Sequence, residues 1–156
     1  MAAKKDQPIQ IITDTAREFF SDLAVEAEIS VTAAEGEEES YIVSLEGPDL
    51  GPLIGYHGDT LNALQLVLSL IVSRKLDSWV RLTVNAGDWR ERRGESLEAM
   101  ALRAADKAVA SGQEVEMPPM SPSDRRLIHM ALKDRSDVTS ESSGEGSLRR
   151  IVIRPS

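Results

Sequence analysis

The chain has 156 residues, of which 41% are apolar, and a formal net charge of −8 at pH 7. This length accommodates one ordinary domain or two small ones, and the absence of cysteine excludes disulfides and thiolate metal sites. Residues 1–8 are polar and the longest apolar run, 61–73, is too short to cross a bilayer. We therefore expect no signal peptide, no membrane insertion and a cytoplasmic setting.

The first third of the chain predicts a helix followed by a two-stranded hairpin. After a segment at 1–8 that we expect to be disordered, apolar residues recur at helical spacing over 9–24. Apolar and polar residues then alternate over 25–33, which predicts a strand with one solvated face, and 41–45 is its return strand. Residues 1–47 carry 11 acidic and 3 basic side chains, whereas charges of the two signs balance in the rest of the chain.

Two glycines, Gly55 and Gly58, precede a long helix predicted over 59–75. Glycine lets another backbone approach closely, and the N–H groups at a helix N-terminus favour an anionic ligand such as a nucleic-acid backbone. The spacing fits neither the dinucleotide-binding fingerprint nor the P-loop. The helix itself is apolar nearly all round, so we expect the sheet and another helix, or a partner subunit, to cover it.

The segment from Ile54 to Gly58 resembles the I-G-x-x-G signature of KH domains, whose loop clamps about four backbone nucleotides. With a third strand predicted over 80–85, the element order is that of a type II KH domain, and the resemblance covers 9–87. KH loops often carry Lys or Arg between the two glycines. This chain has Tyr56 and His57 there, and a nucleobase could stack on the ring of Tyr56. The resemblance implies that nucleic acid contacts Ile54, Gly55, Tyr56, His57 and Gly58.

A second unit is predicted over 88–156. Ser121 and Pro122 form a strong helix start, with the serine as N-cap and the proline at the first helical position. Two glycines lie in 142–147, which predicts a hairpin loop. The predicted helices are 88–112 and 121–134, and the predicted strands are 138–141 and 148–153.

Arg125 and His129 are four residues apart on the predicted second helix of this unit and therefore share a face. A guanidinium beside an imidazole makes a good anion site. The pair resembles the signature of the R-3-H domain, a small module that binds single-stranded nucleic acid. An arginine-bearing helix before the pair and an arginine-bearing strand after it fit the same resemblance. The further arginines that we expect to contact nucleic acid are Arg90, Arg92, Arg93, Arg149 and Arg150.

A type II KH domain followed directly by an R-3-H domain resembles the Jag (SpoIIIJ-associated) family of bacterial RNA-binding proteins. The resemblance implies an α+β fold, with a three-stranded sheet packed with helices in the first domain and a small α+β second domain. It implies a cytoplasmic protein that binds single-stranded RNA through the GxxG loop and the Arg/His pair, in some bacteria linked to cell elongation and division. It also implies pairing with a second small KH protein. Separately from the resemblance, the apolar helix over 59–75 leaves a homodimer open.

Two alternatives remain open at this stage. The chain could bind single-stranded DNA, since nothing in the sequence reads a 2′-hydroxyl group. It could also be a protein-interaction adaptor that uses its apolar helix and acidic first third. We expect no enzymatic activity, metal or cofactor, because the sequence lacks an Asp/Glu/His metal cluster, a nucleophile with a matched base and a Walker motif.

Overall fold

A computed structural model describes the backbone of residues 3–156 and the side chains from residue 7 onward. The chain divides into two compact units, Met1–Trp89 and Arg90–Ser156, and each has its own hydrophobic core. The mixed helix and strand content confirms the predicted α+β class. None of the described helices has both the length and the apolar composition needed to span a lipid bilayer.

The first unit contains three α-helices, a short 3₁₀ turn and a three-stranded sheet. Strand β2 is central, antiparallel to β1 and parallel to β3. The parallel pair requires a crossover, which α2, the 3₁₀ turn and α3 provide. In chain order the elements are α1 (Ala3–Asp22), β1 (Glu28–Ala33), β2 (Ser40–Glu46), α2 (Gly51–Ile54), the turn Tyr56–Gly58, α3 (Asp59–Leu76) and β3 (Arg81–Ala86).

Helix α1 begins earlier than its periodicity predicts. Residues 1–2 of the segment expected to be disordered lie outside the described residues, whereas 3–8 belong to α1. Pro8 lies inside this helix. A proline inside a helix typically costs about 3 kcal/mol, and for this reason the sequence places the helix start after it.

Helix α3 has one buried and one exposed apolar face. Leu61, Leu68 and Val72 are fully buried in a core that α1 and the sheet also line. Leu66 and Leu70 are 59% and 54% exposed, and Val67 between them is also exposed. We expected either the sheet and another helix or a partner subunit to bury this helix. The sheet and α1 bury one face of it, and the other face is exposed.

The second unit packs two helices with a second three-stranded sheet. Its strands are all antiparallel and lie in the order β4-β6-β5, so the last strand of the chain is central. Leu97 and three alanines of the first helix meet Ile128, Ile151 and Ile153 in the core. The elements are α4 (Trp89–Ser111), β4 (Val115–Glu116), α5 (Pro122–Leu132), β5 (Val138–Ser143), a 3₁₀ turn (Gly146–Leu148) and β6 (Arg150–Pro155).

Strand β5 extends two residues beyond the predicted end at 141. Ser142 and Ser143, which we assigned to the hairpin loop, pair with Ile151 and Arg150 of β6. Serine is a common loop residue, but strand preference depends strongly on the neighbouring strand, and the pairing with β6 overrides it here. Because strand side chains alternate, Val138, Ser140 and Ser142 lie on one face.

Candidate nucleic-acid interface

The two glycines of the GxxG loop are both required by their surroundings. Gly55 and Gly58 have φ angles of 68° and 84°, which side chains other than glycine rarely adopt. A Cβ atom on Gly55 would lie 2.1 Å from Thr60 Oγ1, and one on Gly58 would lie 2.3 Å from Cη2 of Trp89. Any side chain at either position would therefore clash with the first turn of α3 or with the indole ring.

The inner residues of the loop form a stacked aromatic pair. The rings of Tyr56 and His57 have centroids 3.9 Å apart and planes inclined by 25°. Tyr56 is 76% exposed, while the backbone of His57 is left-handed with φ 51°. Histidine tolerates that region better than most residues. The loop thus presents an aromatic tip to solvent, and Ile54 before it packs against the core.

Helix α3 begins without a side-chain cap. We expected Asp59 or Thr60 to cap it, but the N-cap residue is Gly58, which makes no side-chain cap hydrogen bond. Thr60 instead fills the space beside Gly55.

In the second unit, Arg125 and His129 both contact β5. Arg125 Nη1 donates to Ser142 Oγ at 2.5 Å and its Nε donates to the Met120 carbonyl at 3.3 Å. His129 Nδ1 lies 2.8 Å from Ser140 Oγ. Ser121 caps the helix as predicted, its Oγ accepting from the Asp124 N–H at 3.2 Å. The two predicted site residues therefore lie over two serines on one face of β5.

Arg149 joins the same group of side chains. Its Nε donates to Ser142 Oγ at 2.8 Å, so one neutral hydroxyl accepts hydrogen bonds from both Arg125 and Arg149. Within the part of the chain that the structure describes, neither guanidinium forms an ion pair. We call Arg125, His129, Arg149 and their two serine partners, Ser140 and Ser142, the arginine–serine cluster.

Other arginines that we expected to contact nucleic acid have acidic partners. Arg93 donates to buried Asp124 at 2.8 Å, with side-chain exposures of 16% and 8%. Arg150 makes a bidentate contact with Glu116, at 3.0 and 3.1 Å, and this contact lowers the pKa of Glu116. Both arginines therefore have roles within the second unit, and neither belongs to the arginine–serine cluster.

The remaining two predicted residues lie at the start of α4. Arg90 is half-buried, and burial lowers the pKa of its guanidinium while the charge of Asp124 raises it. Arg92 is exposed. The structure thus brings together three of the predicted residues of the second unit and leaves Arg90, Arg92, Arg93 and Arg150 outside that group.

Ser140 and Ser142 are the site residues that sequence reasoning missed. The available signal was the alternation of Val138, Ser140 and Ser142, which places both hydroxyls on the face that carries the buried valine. We ended the strand at 141 because of the serines and glycines that follow. Extending the same alternation by one residue would have placed Ser142 on the same strand face as Ser140.

Comparison with known proteins matches both units separately. A model of the KH domain of KhpA/KhpB matches residues 13–84, and a model of the R-3-H domain matches residues 95–155. The chain is 37% identical to an RNA-binding protein KhpB of Clostridium symbiosum over 155 residues, which is 97% of this chain and 68% of that protein.

Two further relatives carry the same name. The KhpB protein of Lactiplantibacillus plantarum is 33% identical over 134 residues, or 84% of this chain and 42% of the relative. That of Bacillus subtilis is 32% identical over 111 residues, or 70% of this chain and 53% of the relative. The chain therefore spans only about half the length of these two proteins.

The fold and the matched models define a protein with a type II KH domain followed by an R-3-H domain. The similarity to the Clostridium symbiosum protein extends through nearly the whole chain and through two thirds of that relative. The chain belongs to the KhpB family, also called Jag, and the family resemblance stated from the sequence is confirmed.

Proposed function

We propose that this protein binds single-stranded RNA and that the arginine–serine cluster contacts the phosphate backbone. Relatives are named as RNA-binding proteins, and neither matched domain model describes an enzymatic domain. In the proposed complex, a phosphate oxygen receives hydrogen bonds from Arg125 and Arg149 near the present position of the Ser142 hydroxyl. His129 contacts the same strand from the next turn of α5.

The observation that carries this proposal is the contrast between paired and unpaired arginines. Arg93, Arg135, Arg150 and Arg154 each form an ion pair with a carboxylate. Arg125 and Arg149 instead donate to one neutral oxygen. Two positive charges that converge without a negative partner attract an anion, and phosphate accepts the planar donors of arginine well.

The test is the affinity of the full chain for a fluorescent single-stranded RNA, measured by anisotropy. Arg125→Ala and Arg149→Ala should each weaken binding by about 1.5–3 kcal/mol if the charge-assisted contact is well made. Arg154→Ala is the matched control, because it removes an equal charge from the same unit but one that is paired with Glu114 and Glu141. Equal losses in all three variants would point to general charge attraction and against the cluster.

The preference for RNA over DNA is part of the proposal and needs its own measurement. The same sequence is titrated as RNA and as single-stranded DNA at one salt concentration, since affinities at different salt cannot be compared. Tighter binding of RNA supports the proposal. Equal or tighter binding of DNA makes the chain a general single-strand binder.

A second candidate function, partner binding, is favoured by the exposed face of α3. Leu66, Val67 and Leu70 form a continuous apolar stripe along this helix. Adjacent exposed apolar side chains on a helix are typical of a protein–protein contact. We propose that a second small KH protein packs on this stripe, as the family resemblance implies, and that a homodimer uses the same face when that partner is absent.

This candidate is tested by light scattering on the full chain, alone and mixed with a small KH protein of the KhpA type. Leu66→Glu with Leu70→Glu should abolish complex formation while RNA binding by the cluster persists. Ala63→Glu, one turn before Leu66, introduces a charge without removing a leucine and separates charge effects from lost packing. A complex that survives the double change uses another surface.

The cellular role belongs to the same proposal. We place the protein in the cytoplasm as a regulator linked to cell elongation and division, on the family resemblance. Deletion of the gene should change cell length. A gene copy with Arg125→Ala and Arg149→Ala should fail to restore it if RNA binding is the relevant activity.

A further inference from the structure

The tip of the GxxG loop differs chemically from a phosphate clamp. Residues 48–73, which include the whole loop, contain two aspartates and no lysine or arginine. Residues 1–89 as a whole carry 15 acidic and 6 basic side chains. The loop itself offers a phosphate backbone N–H groups but no lysine or arginine side chain, and the net charge of the first unit repels phosphate.

The same tip offers a flat aromatic surface. His57 covers one face of the Tyr56 ring at 3.9 Å, so a further ring can stack only on the other face. That second face is accessible, because Tyr56 is 76% exposed. Thr60 packs closely against Gly55 and the Trp89 indole against Gly58, so the pair is flanked on both sides by residues in tight contact with their neighbours.

We infer that Tyr56, backed by His57, binds an unpaired nucleobase by stacking, and that this loop recognises a base where a basic loop would hold phosphates. Every nucleobase has an aromatic face, so such a contact depends little on sequence and does not require positive charge. The inference rests on the proposed RNA binding of the full chain, with the arginine–serine cluster holding phosphates and the Tyr56–His57 tip holding a base.

The experiment compares two single-stranded probes of equal length, an oligoadenylate and a strand whose bases have been replaced by abasic sites. Both carry the same phosphates, but only the first can stack. Tyr56→Ala should weaken binding of the oligoadenylate by between about fivefold and about 150-fold and leave binding of the abasic strand unchanged. The log–log salt slope should be the same for wild type and variant, because no phosphate contact is lost.

Tyr56→Phe is the control that keeps the ring and should bind both probes like wild type. Circular dichroism checks the fold of each variant, and the exposure of Tyr56 means that its removal leaves the core intact. Equal losses on both probes would show that the loop contacts the backbone and not a base, and would overturn the inference. Unchanged affinity of Tyr56→Ala for the oligoadenylate would overturn it as well.

Failure of this inference is distinguishable from failure of RNA binding itself. Arg125→Ala should weaken binding of both probes, since it removes a phosphate contact. If Arg125→Ala has that effect while Tyr56→Ala has none, the cluster binds RNA and the loop does not stack. If wild type binds neither probe, both proposals are wrong.

Discussion

Among single residues, Ser142 has an unusual position because its hydroxyl holds two guanidinium groups of separate elements. Arg125 comes from α5 and Arg149 from the segment before β6, and both donate to the same oxygen. Without the serine, each arginine side chain would become ordered only when RNA binds, and this ordering would reduce the binding free energy by about 0.5–1.5 kcal/mol per side chain. The serine therefore orders the site before a ligand arrives.

Replacing Ser142 by alanine should lower RNA affinity by about fivefold, the equivalent of about 1 kcal/mol of ordering free energy. The stability of the fold should change little, because the freed donors can bind water instead. Ser142→Thr keeps the hydroxyl and should restore the affinity. Ser143→Ala, on the other face of the same strand, is the matched control in the anisotropy titration. A Ser142→Ala variant with full affinity would show that the arginines need no prior ordering.

At the scale of elements, the ion pair between Arg93 and Asp124 links α4 to α5 within the second unit. Both side chains are largely buried. Breaking a buried pair leaves an uncompensated charge, which typically costs about 3–5 kcal/mol. The sequence suggested a phosphate contact for Arg93 from its position beside two other arginines, and a partner 31 residues away in the chain could not be read from that spacing.

Arg93→Met should destabilise the second unit by up to about 3–5 kcal/mol, reduced by the attraction that the Asp124 carboxylate keeps to Arg90. Adding Asp124→Asn should recover part of the loss, because the carboxylate that has lost Arg93 is then removed. Urea unfolding followed by circular dichroism reports both units. Tryptophan fluorescence reports the first unit, since Trp79 belongs to it and Trp89, although it is the first residue of α4, packs against the core of the first unit. The dichroism transition should shift while the fluorescence transition stays. A shift of both would show that the pair stabilises more than its own unit.

Patterns local in sequence predicted the elements of this chain well. The order helix, strand, strand, short helix, loop, long helix, strand follows from periodicity and matches the first unit. The spacing of Arg125 and His129 correctly placed both on one helix face. Contacts between residues far apart in the chain could not be predicted in the same way. The role of Ser142 depends on the pairing of β5 with β6. The requirement for glycine at 58 depends on Trp89, which lies 31 positions further along the chain.

For the whole molecule, charge is divided unevenly between the two units. Residues 1–89 carry nine more acidic than basic side chains, whereas residues 90–156 carry one more basic than acidic. An RNA strand is therefore repelled by the first unit at long range, even where a stacking or backbone contact is favourable at short range. This distribution should affect the association rate more than the final contacts.

Neutralising two exposed acids of the β1–β2 loop, Glu35→Gln with Glu38→Gln, should raise the association rate for RNA by about twofold at low ionic strength. At about 1 M salt the Debye length falls to about 3 Å, so the wild type and the double variant should bind RNA at the same rate. Stopped-flow fluorescence at both salt concentrations measures this. A gain that persists at high salt would mean that these glutamates obstruct the strand by contact.

The steric closure around Gly55 and Gly58 has a consequence for how this loop can change over evolution. The outer positions are fixed by Thr60 and Trp89, but the tyrosine between them is largely solvent-exposed and can be exchanged without disturbing the core. The single substitution Tyr56→Lys, for example, would replace a stacking ring by a cation on an unchanged backbone. The loop can thus acquire a different ligand chemistry while the scaffold that holds it stays the same.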